Sequence, residues 1–412
     1  MQHSLAVLSM IRLQIYATLL MRNERPRRRK IKARRWYVRP WIVERPLYGH
    51  YHQLLANLND QDPETYRYYL RMDRPLFMDI LSRIEHRIRR QDTNFKMSLE
   101  PGLRLAITLR FLATGEAYRS LSIAFRVSAN AISLLVPETC EAIIQEYMEE
   151  VLICPSTPEG WRAVAQEFGQ MWNFHHTIGA LDGKHIAIQP PPNSGSYYFN
   201  YKGYHSIILL ALVDARGKFM YVDVGANGSC SDGGVFQHSQ LRTALETGAA
   251  GLPPSDCLPG DNAPMPYFII GDDAFPHRDW LQKPYPHRGL TPAKRDYNYR
   301  LSRARRIVEN AFGMWANRFR VFLTTINVKP ESVVKMVVAS CILHNILRDR
   351  RPHTYAVPVH DARVPEGDWT RDPLDGLQPR ARQSGPAAAK LIRDQLANYY
   401  ARPPNRLPWQ RN

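Results

Sequence analysis

Four carboxylates in this chain have the placement that chemistry requires: Asp182 in HTIGALDGKHIA, Asp232 in GSCSDGGVF, Asp272 in YFIIGDDAFP and Glu309 in RARRIVENAFG. Each lies beside an apolar stretch rather than inside a charged run, the pattern of a buried or half-buried acidic cluster. Carboxylates brought together without a cation repel one another, so the set implies a hard divalent metal, Mg²⁺ or Mn²⁺, bound through oxygen, with water and phosphate completing the shell. Two such ions about 3.5 to 4 Å apart activate a water and stabilise the leaving oxygen of a phosphodiester. The chemistry expected is nuclease or strand-transfer chemistry.

The elements that must position these groups follow from the hydrophobic pattern. Ile178, Ala180 and Leu181 read as a strand that delivers Asp182 at its end and breaks at Gly183, with Pro190, Pro191 and Pro192 stopping it. Lys202 to Asp214 reads as a buried strand. The turn Ala215, Arg216, Gly217 joins it to a second strand in GKFMYVDVGANG, making a hairpin beside the Asp182 strand. A helix over Val235 to Leu245 and a fourth strand in PYFIIGD follow, then a helix from Ser302 to Val321 that carries Glu309. The fold class is α/β, a mixed sheet flanked by helices with carboxylates at adjacent strand ends.

Each acidic residue also has a plainer reading. Asp232 suits a loop or helix cap, Asp273 competes with Asp272, and Glu309 can pair with Arg305 one turn earlier on the helix. His185 and His205 read as packed or substrate-facing, because sites for softer metals cluster His and Cys more tightly.

The chain is long enough for two or three domains, with 412 residues, a formal charge of +17 and a pI near 9.7. Between Arg22 and Arg35, nine Lys and Arg residues face a single acid, Glu24, and the rest of the chain is still basic. A polyanionic partner is expected, DNA first. The five cysteines show no C-x-x-C pair, against a disulfide framework or zinc site. Leu5 to Met21 contains Arg12 and precedes its basic cluster, so it reads as a short helix or an unstructured leader, with an anchor as the lesser alternative, and no membrane partner is expected. Residues 1–40 are a basic disordered leader whose RPRRRKIKARR run suits nuclear import.

Residues 41–171 read as a helical domain. Leu76, Ile80, Ile84 and Ile88 recur at i+4, and Pro101 and Gly115 bracket another helix. Within 119–136, a helix from Ser120 to Phe125, a turn at Arg126 and Val127, and a second helix capped by Ser128 and running through Leu135 have the plan of a helix-turn-helix. On that plan Asn130 and Ser133 face bases, and Ala131, Ile132, Leu134 and Leu135 the core; the equal alternative is a packed helical hairpin with no DNA contact. Lys283, Arg288, Lys294, Arg295, Arg300 and Arg303 form a basic approach to the acidic cluster, with Arg300 and Arg303 the leading phosphate contacts. The domain that follows spans 172–350, and 351–412 is a polar tail with a short helix from Ala387 to Tyr400.

Five blocks taken together resemble the PIF/Harbinger transposases and the host nucleases derived from them. LDGKHI resembles the family's DGTHI block, VGANGSCSDGGVFQHS its GSxHDSxVF block, IIGDDAFP its GDxAYP block, RARRIVENAFGMWANRFR its RxxIExxFGxLKxRF block, and CILHNIL its LHN stretch. The resemblance implies that 172–350 is a DDE-type ribonuclease-H-like nuclease domain, with Asp182, Asp272 and Glu309 catalytic and Asp182, Asp232, Asp272 and Glu309 as the metal-binding set. Asp272 and Glu309 stand 37 positions apart, in line with such cores. Where the family has His-Asp-Ser, this chain reads Ser231, Asp232, Gly233, keeping the aspartate with altered neighbours. The resemblance also implies a separately encoded Myb-like (SANT) partner; self-association is compatible with it.

Two functions compete: a metal-dependent DNA endonuclease using two ions, and a domesticated DNA-binding adaptor that no longer cuts. Either is expected in the nucleus, with a share in the cytoplasm. Deleting Arg25 to Arg35 should leave a reporter fusion cytoplasmic in cells lacking a Myb-like partner. Undiminished nuclear signal would remove the import role from this arm.

Overall fold

The computed structural model describes residues 38–93, 97–350 and 386–405. The apolar leader and the arginine-rich arm lie outside the described residues, as does the stretch 351–385. The chain divides into two compact units, Met1–Val151 with Arg318–Ile342, and Leu152–Asn317 with Leu343–Asn412.

The described part of the first unit is built of helices. Helix Arg74–Ile88 is capped by Asp73, whose carboxylate accepts from the Leu76 N–H, and it buries Leu76, Ile80, Ile84 and Ile88 as their spacing requires. Arg83 and Arg87, on another face, pair with Glu150 at 2.7 Å and Glu146 at 3.1 Å on helix Ala129–Val151. Helix Pro101–Thr114 begins at its proline and ends at Gly115, whose φ of 70° is open to glycine without strain.

Helix Tyr118–Phe125 turns through Arg126 into helix Ala129–Val151, a bend of 100°, and the Ser128 hydroxyl accepts from the Ala131 N–H at 3.3 Å. The second helix was expected to stop at Leu135. It continues through Pro137 to Val151 because Val136, Cys140, Ile143 and Tyr147 prolong its buried stripe. Asn130 and Ser133 are exposed, and Ile132 and Leu135 are buried. Leu134, expected to face the core, is instead 65% exposed, since it falls on the same side as Asn130.

The second unit holds a five-stranded mixed sheet flanked by helices. Its strands are β1 (Thr177–Ala187), β2 (Ser206–Val213), β3 (Phe219–Asn227), β6 (Phe268–Ile270) and β7 (Leu281–Gln282), in the order β3-β2-β1-β6-β7. A separate short hairpin pairs β4 (Asp256–Cys257) with β5 (Pro264–Met265). β1 and β3 are antiparallel to β2, while β6 is parallel to both β1 and β7. The β2–β3 hairpin turns at Gly217, with φ of 79°, as its turn residues require.

One sheet face buries Ile208, Leu210 and Leu212 against Trp161, Phe236 and Phe275. The helix expected over Val235 to Leu245 is two helices, Asp232–Gln237 and Gln240–Glu246, because Ser239 caps the second by accepting from the Arg242 N–H. On the other side lie helix Pro292–Arg318, which begins earlier than expected, and the last turns of helix Pro330–Arg350.

Among the described residues, Pro330–Arg350 is the one helix long and apolar enough to cross a membrane, and 78% of its apolar window is buried within the protein. Its LHN stretch has a structural task. The buried Asn345 amide accepts from the Phe219 N–H at 2.9 Å and donates to the Phe219 carbonyl at 2.8 Å, and His344 meets the Gly217 carbonyl at 2.9 Å. The C-terminal helix Ala387–Ala401 packs on the same unit: Tyr400 stacks on Phe174 at 5.3 Å and accepts from the His175 N–H, while Asp394 meets the Tyr285 hydroxyl.

Replacing Asn345 by Ala strands a buried donor and a buried acceptor at the start of β3. It should cost about 2 to 5 kcal/mol, read as a lower urea midpoint at unchanged slope. A loss within about 0.5 kcal/mol would show that the clamp is not stabilising.

Candidate active site

The site is organised by unequal pairing of β1. Ala180 is opposite both Val213 of β2 and Ile270 of β6, but β6 ends there while β1 continues, paired only with β2, to Ala187. Two residues beyond this point, the neighbouring chains carry Asp182 and Asp272. The expectation that the strand breaks at Gly183 is therefore corrected: Asp182 lies in mid-strand, and the opening beside it comes from the end of β6.

Asp182 and Lys184 are opposite Ala211 and Leu209, which places both side chains on the face covered by helix Pro292–Arg318. There Arg305 Nη1 lies 3.5 Å from Asp182 Oδ2, and its Nη2 lies 2.5 Å from Glu309 Oε1. The Lys184 ammonium sits 5.8 Å over the Phe312 ring. Arg305 is mostly buried, whereas the Glu309 side chain is 49% exposed.

Asp232 approaches from the other side of the strand. A Cβ on Gly183 would fall 2.2 Å from Asp232 Oδ1, and one on Gly233 would fall 2.4 Å from the Ala274 carbonyl oxygen. Both positions need glycine for space. The start of helix Asp232–Gln237, capped by Ser231, is thereby pressed against β1 and the loop after Asp272.

Burial drives the Asp182 carboxyl up to about 7, and the neighbouring charges of Asp272, Asp232 and Glu309 push the same way against the pull of Arg305. For Arg305, burial opposes its charge, but Asp182, Glu309 and Asp272 outweigh it and hold the guanidinium above its usual range. Lys184 is pushed down by burial and by Lys202. His185, hydrogen-bonded to Ser206, is pushed down to about 4 by burial and then by Lys202, so it is neutral at physiological pH.

Asp272 Oδ1 accepts from the Ala274 N–H, whereas Asp273 is committed to an ion pair with Lys283 at 3.0 Å. Among the described residues no three His, Cys, Asp or Glu side chains form a ready-made metal-holding group.

Two of the expected phosphate contacts are corrected. Lys283 is buried, donating to the carbonyls of Asp273 and Phe275 besides its ion pair. Arg300 is 2% exposed; it donates to the carbonyls of Asn173 and Asn405 and lies over the Tyr400 ring, so it ties the C-terminal segment down rather than facing DNA. Arg303 is half-buried on the same helix, and Arg288 and Arg295 are exposed.

Sequence reasoning paired Arg305 with Glu309 but missed its reach to Asp182, which depends on helix placement. It also missed Lys184, whose signal was available: two residues after Asp182 on a strand means the same face.

The profile of the DDE superfamily endonucleases matches residues 181–345, the span from β1 through the LHN stretch. The chain is 28% identical over 297 residues to "Putative nuclease HARBI1" of Rattus norvegicus, covering 71% of this chain and 80% of that protein. It is 27% identical over 270 residues to the protein of the same name from Homo sapiens, with 65% and 73% covered. It is 24% identical over 307 residues to "Protein ALP1-like" of Arabidopsis thaliana, with 71% and 73% covered. No solved structure matches the chain.

The acidic cluster has a pH signature. With its value raised from an ordinary 3.8 to about 7, Asp182 keeps a proton in the folded protein that the unfolded chain releases. Its stabilisation is complete below the lower value and lost as pH rises through the higher. Metal-free wild type should lose stability relative to Asp182→Asn across that window, by up to about 1.4 kcal/mol per pH unit. Parallel stability–pH curves for the two proteins would exclude Asp182 as the titrating group.

Proposed function

Because the chain belongs to the family of nucleases derived from Harbinger transposases, we propose that it is a metal-dependent DNA endonuclease. It hydrolyses phosphodiester bonds, with Asp182, Asp272 and Glu309 as catalytic carboxylates and Asp232 completing the metal-binding set. The observation that carries this reading is the buried Asp182, set in mid-sheet beside the end of β6 with three further carboxylates acting on it. These donors suit Mg²⁺ or Mn²⁺: all are hard oxygens, and their mutual repulsion leaves the cluster short of positive charge. When bound, one or two such ions supply an activated water and a counter-charge for the leaving oxygen.

The chain's own residues do the rest. Gly183 and Gly233 admit Asp232 to the cluster, and Arg305 holds Asp182 and Glu309 in register. Lys184 offers positive charge to a phosphate at the same face, and Arg288, Arg295 and Arg303 extend that attraction along the backbone. The sheet order and its flanking helices support a ribonuclease-H-like core. The 100° bend before helix Ala129–Val151, with Asn130 and Ser133 exposed, supports a helix-turn-helix-like domain that reads the major groove. The basic arm directs the protein to the nucleus, where a Myb-like partner assists DNA binding.

One observation favours the adaptor as a second reading. Arg305 already spans Asp182 and Glu309, an arrangement that offsets part of the site's negative charge without any ion.

Supercoiled DNA with Mg²⁺ or Mn²⁺ separates the two. Wild type should nick it, whereas Asp182→Asn should bind equally well and cut at least about 100-fold more slowly, as a lost ligand should cost no less than a lost supporting contact. Binding without cutting by both proteins would establish the adaptor. Equal cutting by both would place the activity elsewhere.

A further inference from the structure

The connection from β1 to β2, residues 188–205, carries a feature that the acidic cluster does not use. Tyr197, Phe199 and Tyr201 are 56%, 47% and 66% exposed, three of the five exposed aromatic side chains among the described residues. A folded chain tends to hide such rings, and here they stand at alternate positions in one short segment.

The segment is held by buried polar contacts. Asn200, only 3% exposed, accepts from the N–H groups of Lys202 and Tyr204 and donates to the Ser206 hydroxyl, which also meets His185 at 2.8 Å. The Ser206 N–H donates to the Tyr198 carbonyl, and Ser229 donates to the Tyr197 carbonyl. Gly203, with φ of 84°, closes the turn. The rings are therefore presented on a fixed scaffold, so little ordering is needed when something binds them.

Charge and position identify what they fit. Between Asp182 and Asp214 the chain contains no Asp or Glu. Lys202 lies 5.5 Å from the Tyr201 ring, and that ring packs edge-on against His185 at 5.5 Å. His185 is three residues beyond Asp182 on the same strand, a run of about 10 Å. Lys184, next in sequence to His185, is on the strand's other face with Asp182, and the Lys202 charge acts on both Lys184 and His185. An aromatic surface with Lys202 at its end thus flanks β1 on the Gly183 and His185 face, the side from which Asp232 approaches, and flat rings with a lysine beside them bind the faces of unpaired bases and the phosphates that link them.

We propose that the 197–202 segment is a stacking platform for unpaired DNA bases, gripping a melted or single-stranded part of the substrate beside Asp182. This rests on the reading of the acidic cluster as a DNA-cleaving site and assigns its substrate class: DNA with unpaired bases next to the cut. Duplex DNA keeps its bases stacked inside the helix and would engage the platform only after local opening.

The test uses the full chain and a fluorescein-labelled single-stranded oligonucleotide, its blunt duplex and an RNA of the same sequence, with a second single strand containing 2-aminopurine. Wild type should favour the single-stranded DNA and quench the 2-aminopurine. Tyr201→Ala should weaken single-strand binding about tenfold, and the Tyr197→Ala, Phe199→Ala, Tyr201→Ala triple variant by more. Both variants should bind duplex as wild type does, and Tyr201→Trp should restore quenching. Lys202→Gln, which leaves the rings in place, should lower the salt slope of single-strand binding by about one phosphate contact. Unchanged thermal melting of each variant excludes misfolding as the cause.

Absent quenching, equal single-strand affinity in the triple variant, equal losses on duplex, or a loss confined to RNA would each overturn the platform. Should wild type cut DNA in an Asp182-dependent manner while any of these holds, only the platform fails. Should wild type bind no DNA of either form, the cleavage reading and the platform fall together.

Discussion

The contact between Asp182 and Arg305 is the interaction around which the acidic site of the second unit is arranged. A carboxylate in the central strand of a sheet, roofed by a helix, is costly to keep charged unless a counter-ion is fixed beside it. Arg305 is that counter-ion, and it serves only because helix Pro292–Arg318 lies in one rotation and one register. The rotation is set by the stripe of Val308, Ala311, Phe312 and Trp315, all buried. Phe312 in turn packs 6.0 Å from Phe219, the residue whose backbone is clamped by Asn345 and whose ring faces His344 at 4.9 Å. A chain of contacts thus runs from the LHN stretch, through the β2–β3 hairpin and the helix, to the carboxylate.

How much of this is legible in the sequence depends on the range of the interaction. Local signals carry well: the i+4 leucine and isoleucines of helix Arg74–Ile88, the proline and glycine bracketing helix Pro101–Thr114, and the apolar run of β2 each report a short-range constraint. The four carboxylates are also visible, because an acid next to an apolar stretch has few structural uses. Where strands end is less legible. Gly183 resembles a breaker when read alone, yet β2 pairs on past it, and its small size serves the approach of Asp232 instead.

Arginines show the same division more sharply. Arg83, Arg87, Arg300, Arg303 and Arg305 are alike as sequence, and each could face solvent, a carboxylate or a phosphate. Arg83 and Arg87 pair with glutamates of a helix packed beside theirs, Arg300 caps carbonyls of two distant segments, and Arg305 is drawn in toward Asp182. Tertiary packing alone distinguishes them. A net positive charge therefore says that polyanions are attracted, and says little about which arginines do the attracting.

The distribution of charge along β1 gives the site its direction. Asp182 and Lys184 share one face, and beyond them the chain carries only basic and neutral residues until Asp214. A polyanion is repelled at one end of this stretch and attracted at the other. If the proposed platform holds, binding energy for a nucleic acid would be gathered on the Lys202 and Tyr201 side, while the carboxylate side would contribute only when positive charge is supplied to it. Arg305 supplies part of that charge from within the fold. On the proposed reading, separation of this kind would let the protein hold a strand without drawing its phosphates onto the acids, and cleavage would then be conditional on the cation rather than on binding.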